Sequence, residues 1–313
     1  MNLQLTGQEE ICGIIVTYNP DETNLDIIRE NCLVLNKTII YDNSTDNCYY
    51  KKLTQIVRRI QSFNNKHRKI IIIHRGHNIG LSKAYNYSVR FAEKIGCKFV
   101  IFLDQDSLIT FRDFKILIRD YNLLLKRGIM VGAISMHNME NFHTPISIFF
   151  DGTFRWNRFY YSDNIQEKRN LINSGLLISI KNFNLMNGYN EGFFVDNTDL
   201  EFTLRLRTKN LRLFESEDAK IMVNYKEVVH NYKIASLPYR NPEREYFVRD
   251  LIRCLPLSCK LSKIDTLLII LLITSKLFGT LLFKDKKRER FVFILTGIKD
   301  ALCILTMPRN ANS

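Results

Sequence analysis

The stretch FVIFLDQDS, residues 99–107, places five apolar residues ahead of two carboxylates, Asp104 and Asp106, with one residue between them. The apolar run predicts a strand buried on both faces, as in a parallel sheet. Two acids at its carboxyl end repel each other unless a cation, a partner or water relieves them. A second pair, Asp196 and Asp199, brackets Asn197 and Thr198 ahead of a predicted helix carrying Leu204 and Leu206. Polar clusters also follow three other apolar runs: Thr17-Tyr18-Asn19, Asp42-Asn43-Ser44 and His77-Asn78-Ile79-Gly80.

Those runs predict strands at Cys12–Thr17, Thr38–Tyr41, Lys69–Ile73 and Phe99–Leu103. Helices are predicted between them at 21–31, 49–63 and 82–95, the last with Ala84, Tyr85, Val89 and Ala92 on one stripe. Strand and helix alternating through short loops is the pattern of a doubly wound α/β sheet. Ligands of such sheets bind beyond the carboxyl ends of the strands, where every polar cluster above falls. Further on, the sequence predicts a helix at 111–127, a strand at 129–135 and an irregular region at 137–169. Strand character returns at 171–180 around Asn173-Ser174-Gly175, and a late strand at 220–229 ends in His230. No G-x-G-x-x-G follows the first strand and no Walker pattern occurs, which disfavours a dinucleotide dehydrogenase and a P-loop kinase.

With 313 residues, 46% hydrophobic and 25% charged, the chain is globular and long enough for a real core. Seven scattered cysteines without a CxxC pair, and an N-terminus (MNLQLTGQEE) lacking a basic or apolar segment, predict reduced thiols and a cytoplasmic body. The net charge of +13 is uneven: 24 basic against 20 acidic residues over 1–199, but 21 against 12 over 200–313. This excess meets the apolar run Ile264–Phe283 and the basic KDKKRER segment that follows it. A basic tail can bind nucleic acid. An anionic membrane surface fits better, because the charges flank long apolar segments and not aromatic stacking platforms. Asp265 and Lys276 interrupt the run, so two surface-lying or shallowly inserted helices are expected in preference to two crossings. A buried helical hairpin is the alternative.

Taken in order, GIIVTYNP, IIYDNS, HNIGLSKAYNYSV, FLDQDS, NSGLLIS and GYNEGFFVDNTDLEFTLRLRTKNLRL resemble the inverting glycosyltransferase family two. The DQDS motif, with PYRNPEREYFVRDLIR, is most similar to the bacterial rhamnosyltransferase group of that family. The resemblance implies a GT-A fold, a Rossmann-like, mostly parallel sheet flanked by helices, over 1–253. Residues 254–313 would form the C-terminal helical, membrane-associated tail. It implies transfer of a sugar from a nucleotide diphosphate donor, dTDP-rhamnose in first place, to a glycan or lipid-linked acceptor in surface-polysaccharide synthesis. The enzyme would lie on the inner face of the cell membrane and bind no nucleic acid. Galactofuranose or a hexose is the alternative sugar; a silent nucleotide-sugar-binding or scaffold member is the alternative function.

The same resemblance assigns roles. Asp104 and Asp106 form the D-x-D pair for Mg2+ or Mn2+, with His230 as third ligand. Thr17, Asn19, Asp42 and Asn78 match the base and ribose pocket, with Asp104 also toward the donor. Arg244 and Arg249 match positions suited to clamp a diphosphate or acceptor phosphate. Many relatives carry an acid where this chain has Asn197, and an amide cannot accept the acceptor's proton. Asp199 is therefore the first candidate base and Asp196 the second. Local turn roles compete: Asp106 or Ser107 as cap of the next helix, Asp199 as cap of its own, and Asp42 in an Asx turn.

Overall fold

The computed structural model describes residues 10–62, 68–138, 160–162, 164–223, 248–283 and 286–306. The chain divides into two compact units, 1–224 and 225–313. In the first unit, strands β1 (Ile11–Thr17), β2 (Lys37–Asp42), β3 (Lys69–His74) and β4 (Phe99–Asp104) alternate with helices α1 (Glu22–Val34), α2 (Asn47–Ser62) and α3 (Leu81–Lys94). These four strands run parallel in the order β3-β2-β1-β4.

After β4 come β5 (Ser107–Ile109), α4 (Phe111–Lys126), β6 (Val131–Asn138), β7 (Tyr160–Ser162), β8 (Ile165–Lys168) and β9 (Leu176–Ser179). Helices α5 (Ile180–Leu185) and α6 (Thr198–Thr208) and strand β10 (Arg212–Val223) complete the unit. Beyond β4 the sheet becomes mixed: β9 is antiparallel to both β4 and β6, while β10 is parallel to β6 and antiparallel to β5 and β8. The late strand begins at Arg212, ahead of the expected 220; residues 224–229 lie outside the described part. Its charges obscured it, and cross-strand pairs absorb them: Arg212 with Glu167 at 2.6 Å and Glu215 with Lys168 at 3.1 Å.

Strand alternation sorts the core into two layers. Phe99, Ile101 and Leu103 of β4 face one cluster with α1, α2 and α4, whereas Val100 and Phe102 face the other with α3, α5 and α6. Asp104 follows on the side of Phe102, so the pleat aims it toward α3. Beneath it Tyr85, Phe102, Phe183, Tyr189 and Phe202 pack in tilted and edge-on pairs with centroids 4.4–6.0 Å apart.

The second unit holds α7 (Val248–Leu261), α8 (Lys263–Phe283) and α9 (Lys287–Thr306), with α7 packed on both others. Residues 248–253, expected to close the transferase domain, group with these helices. The Ser262 hydroxyl accepts from Asp265 N at 3.1 Å and donates to its carboxylate at 2.5 Å, so Ser262 caps α8 and the acid that interrupts the apolar run lies in its first turn, held by that cap. No helix among the described residues is long and apolar enough to cross a membrane. The two helices nonetheless expose Leu267, Ile270, Leu271 and Phe278 from α8, and Phe291, Val292 and Leu295 from α9.

One contact tests the packing that carries the site. Gly188 has φ +71°, and a Cβ there would lie 2.5 Å from Asn86 Oδ1. Gly188→Ala should therefore cost about 2 kcal/mol by urea denaturation, through left-handed strain and clash together. A change below about 0.5 kcal/mol would show that this loop yields freely.

Candidate active site

Parallel registry brings the strand ends together. Thr17 lies beside Asp42, Asp42 beside His74, and Val16 beside Asp104. Asp42 is fully buried. Its Oδ1 accepts from Thr17 Oγ1 at 3.1 Å and from Ser44 N at 3.0 Å, so the Asx turn is present. Its Oδ2 lies 3.0 Å from His74 Nδ1. The other ring nitrogen of His74 is 2.9 Å from Asn47 Oδ1, and the imidazole stacks on Tyr50. Asn19, left-handed at φ 47°, donates its N–H to Ser44 Oγ at 2.8 Å.

The Asn78 side chain accepts from Gly80 N at 2.9 Å. Buried Asn43 fixes this turn to the pocket, donating to Gly80 O at 3.3 Å and accepting from Ile79 N at 3.2 Å. Leu81 N in turn donates to Phe194 O at 2.6 Å, and a Cβ on Gly80 would strike the Phe194 ring. A glycine at φ +84° is what lets the segment preceding Asp196 lie against this turn.

Asp104 ends β4 half-buried. It accepts from Tyr85 OH at 3.3 Å and from the Ser174 hydroxyl, which itself accepts from Ser107 Oγ at 3.2 Å. Burial pushes its carboxyl up, against the pull of these two hydroxyls. Burial and the charge of Asp104 raise Asp106 to about 6. Neither acid caps a helix: Thr110 Oγ1 caps α4, accepting from Asp113 N at 3.2 Å. Asn31 holds the exit of the DQDS loop, donating to Ser107 O at 2.7 Å and accepting from Ile109 N at 3.1 Å.

Asn197 occupies the N-cap of α6 with φ 59°, a left-handed conformation that asparagine tolerates. Asp199 lies in the first turn, with Oδ1 accepting from Leu200 N at 2.8 Å. It is not the cap. Burial raises it to about 6; the Leu200 hydrogen bond opposes this, and the charges of Asp104 and Asp196 reinforce it. Burial and neighbouring acids thus outweigh the helix N-terminus, which would lower it. The mutual influence places Asp104, Asp106, Asp196 and Asp199 in one electrostatic cluster. Tyr189 OH donates to Asn173 Oδ1 at 2.6 Å, and Asn173 Nδ2 to Thr198 Oγ1 at 3.3 Å, tying α6 to the aromatic layer. Asn86 completes the support, donating to Tyr189 O at 2.9 Å and accepting from Tyr189 N at 2.7 Å.

The structure therefore gathers Thr17, Asn19, Asp42, Asn78, Asp104, Asp106, Asp196 and Asp199 at one edge of the first unit. Arg249 lies in the second unit, donating to Asp250 at 2.7 Å. His230 and Arg244 fall outside the described residues. Sequence reasoning missed His74, Tyr85, Ser107 and Ser174 as site residues. His74 could have been found from the parallel register, and Ser174 from the Asn173-Ser174-Gly175 turn.

Two solved glycosyltransferase structures share this architecture. The mannosyltransferase PcManGT from Pyrobaculum calidifontis, described in complex with GDP-Man and Mn2+, superposes with TM-score 0.57 at 14% identity, covering 94% of this chain and 80% of that one. TarS 1–349 of S. aureus, in complex with UDP-GlcNAc, gives 0.56 at 16% identity with the same coverage. The class is thus the GT-A glycosyltransferase fold. Residues 14–176 match the model of "Glycosyl transferase family 2", and the chain belongs to that family. It is also 25% identical over 243 residues to the dTDP-rhamnosyl transferase RfbF of Shigella flexneri, 76% of each chain.

Raised carboxyls make a signed prediction. Asp106 binds its proton more tightly folded than unfolded, so its contribution to stability is greatest below pH 4 and is lost as pH rises through about 6. Without divalent cations, Asp106→Asn should stabilise the protein by about 1–2 kcal/mol at pH 7, solvent screening included. The gain should vanish near pH 4 in urea titrations. A pH-independent effect would mean that charge is not its cause.

Proposed function

We propose that the chain is an inverting, metal-dependent glycosyltransferase moving rhamnose from dTDP-rhamnose to a hydroxyl of a growing surface polysaccharide or lipid-linked acceptor. One observation carries this reading. Asp104, Asp106 and Asp199 converge at the carboxyl edge of the sheet, and no cationic side chain among the described residues hydrogen-bonds to them. The relative named for dTDP-rhamnosyl transfer supports the donor. The mannosyltransferase described with Mn2+ supports the metal.

Asp104 and Asp106 offer an all-oxygen donor set with unrelieved negative charge, which suits a hard cation such as Mg2+ or Mn2+. Among the described residues no third acid, histidine or cysteine joins them in a metal-binding group. His230 is the proposed further ligand. When bound, such an ion neutralises charge developing on the diphosphate leaving group. Tyr85 and Ser174 hold Asp104 in place with hydroxyl donors, which orient the carboxylate and leave its charge intact. Asp199 takes the proton of the acceptor hydroxyl, with Asp196 the second candidate. The acceptor oxygen then bonds to the anomeric carbon from the face opposite the diphosphate, which leaves with the bonding electron pair. At about 6, Asp199 is mostly ionised at pH 7 yet more basic than an ordinary aspartate. Thr17, Asn19, Asp42 and Asn78 form the nucleoside pocket, and Arg244 and Arg249 bind phosphate. The apolar faces of α8 and α9, beside exposed Lys286 and Arg288, rest on an anionic membrane surface.

Purified protein with Mn2+ should hydrolyse dTDP-rhamnose slowly, followed by release of dTDP. Asp104→Ala should lower this more than 100-fold. Acceptor transfer should fall as pH drops through about 6, and Asp199→Asn should abolish that dependence together with most of kcat. Tight nucleotide binding without turnover of any donor would favour the silent member. For the tail, flotation should recover the protein with vesicles containing phosphatidylglycerol and not with neutral ones, and about 0.5 M NaCl should weaken recovery. Equal recovery with both would leave charge no role.

A further inference from the structure

We propose that Gln105, the residue between the two carboxylates, is a positioning residue that couples cation capture to the nucleoside pocket. The inference rests on the donor-site reading above. Between two metal-binding acids, any side chain would serve if the acids alone mattered. Gln105 instead reaches across to the turn after β1: its Oε1 accepts from Tyr18 N at 2.9 Å, and its Nε2 donates to Tyr18 O at 3.4 Å. One carboxamide thus bridges both backbone groups of a residue distant in sequence. Only a side-chain amide carries a donor and an acceptor in that geometry.

The far side of the same turn is fastened to the nucleoside pocket. Asn19 N donates to Ser44 Oγ at 2.8 Å, and Asn43 N to Thr17 O at 2.8 Å. Thr17 then donates to Asp42. Asn19 holds φ 47°, a left-handed conformation that asparagine tolerates. Gln105 and Ser44 grip its two sides. Any shift of the Asp104–Asp106 backbone as the carboxylates close on a cation passes through Gln105 to Tyr18, and from there to Asn19 and Thr17. A carboxamide that merely braced the loop would change stability, and would alter nucleoside affinity equally with and without the cation.

Thymidine separates these cases, because it has no phosphate to touch a metal. Its affinity for the full chain is measured by saturation-transfer NMR with and without saturating Mg2+. For the wild type, Mg2+ should tighten thymidine binding about threefold. In Gln105→Ala the effect should disappear, and Gln105→Glu, which keeps only the acceptor for Tyr18 N, should retain part of it. Urea midpoints within experimental error of the wild type confirm that both variants are folded. Persistence of the threefold effect in Gln105→Ala, or its absence from the wild type while dTDP still binds more tightly with Mg2+, would overturn the inference. If the wild type binds no dTDP, the donor-site reading fails, and this inference with it.

Discussion

The burial of carboxylates gathered at one sheet edge is the constraint around which the first unit is arranged. Asp104, Asp106, Asp196 and Asp199 come from two distant segments; burial raises the carboxyls of Asp104, Asp106 and Asp199, and neighbouring acids reinforce the rise at Asp106 and Asp199. A protein selected for stability alone would place a lysine or arginine among them. At Asp104 and Asp199 the partners are two hydroxyls and a backbone amide, which orient these acids without cancelling their charge. The unit therefore carries an edge that is less stable at neutral pH than at low pH.

Holding such a cluster demands a stiff foundation. The strand ends are fixed by parallel registry, and the acids stand on a layer of five aromatic rings joined by buried hydroxyl and amide contacts. Asn86 and Asn31 act as two anchors of this frame. The first ties α3 to the loop at Tyr189, the second ties α1 to the exit of the DQDS turn. Each satisfies a buried backbone donor and acceptor with one side chain, so removing either leaves two polar groups stranded. Gly80 and Gly188 allow the close approach, since a side chain at Gly80 would strike Phe194 ahead of Asp196 and one at Gly188 would strike Asn86 of α3.

Much of this was legible in the sequence because alternation and strand-end polarity are local signals. The four parallel strands, three helices between them and the DQDS edge follow from apolar runs and their polar terminators. Strand β10 was misplaced because Arg212 and Glu215 broke the apolar pattern, and their cross-strand partners Glu167 and Lys168 lie too far away in sequence to be read. His74 and Ser174 were missed for a related reason. A histidine after four isoleucines and a serine in a turn carry no signal of their own until register sets them beside Asp42 and Asp104. The elevation of Asp199 also required the fold, since its helix position argued for the opposite direction.

The central claim is that burial holds Asp106 and Asp199 near 6, so that a cation proposed to bind there would displace a proton at pH 6 and little at pH 8. Proton release on Mn2+ binding tests it directly, by calorimetry in buffers of differing ionisation enthalpy. The account predicts release of about half a proton or more near pH 6, fading toward pH 8, where the carboxyls near 6 are already ionised. Mn2+ binding at pH 6 with no proton release, or with the same release at both pH values, would contradict it.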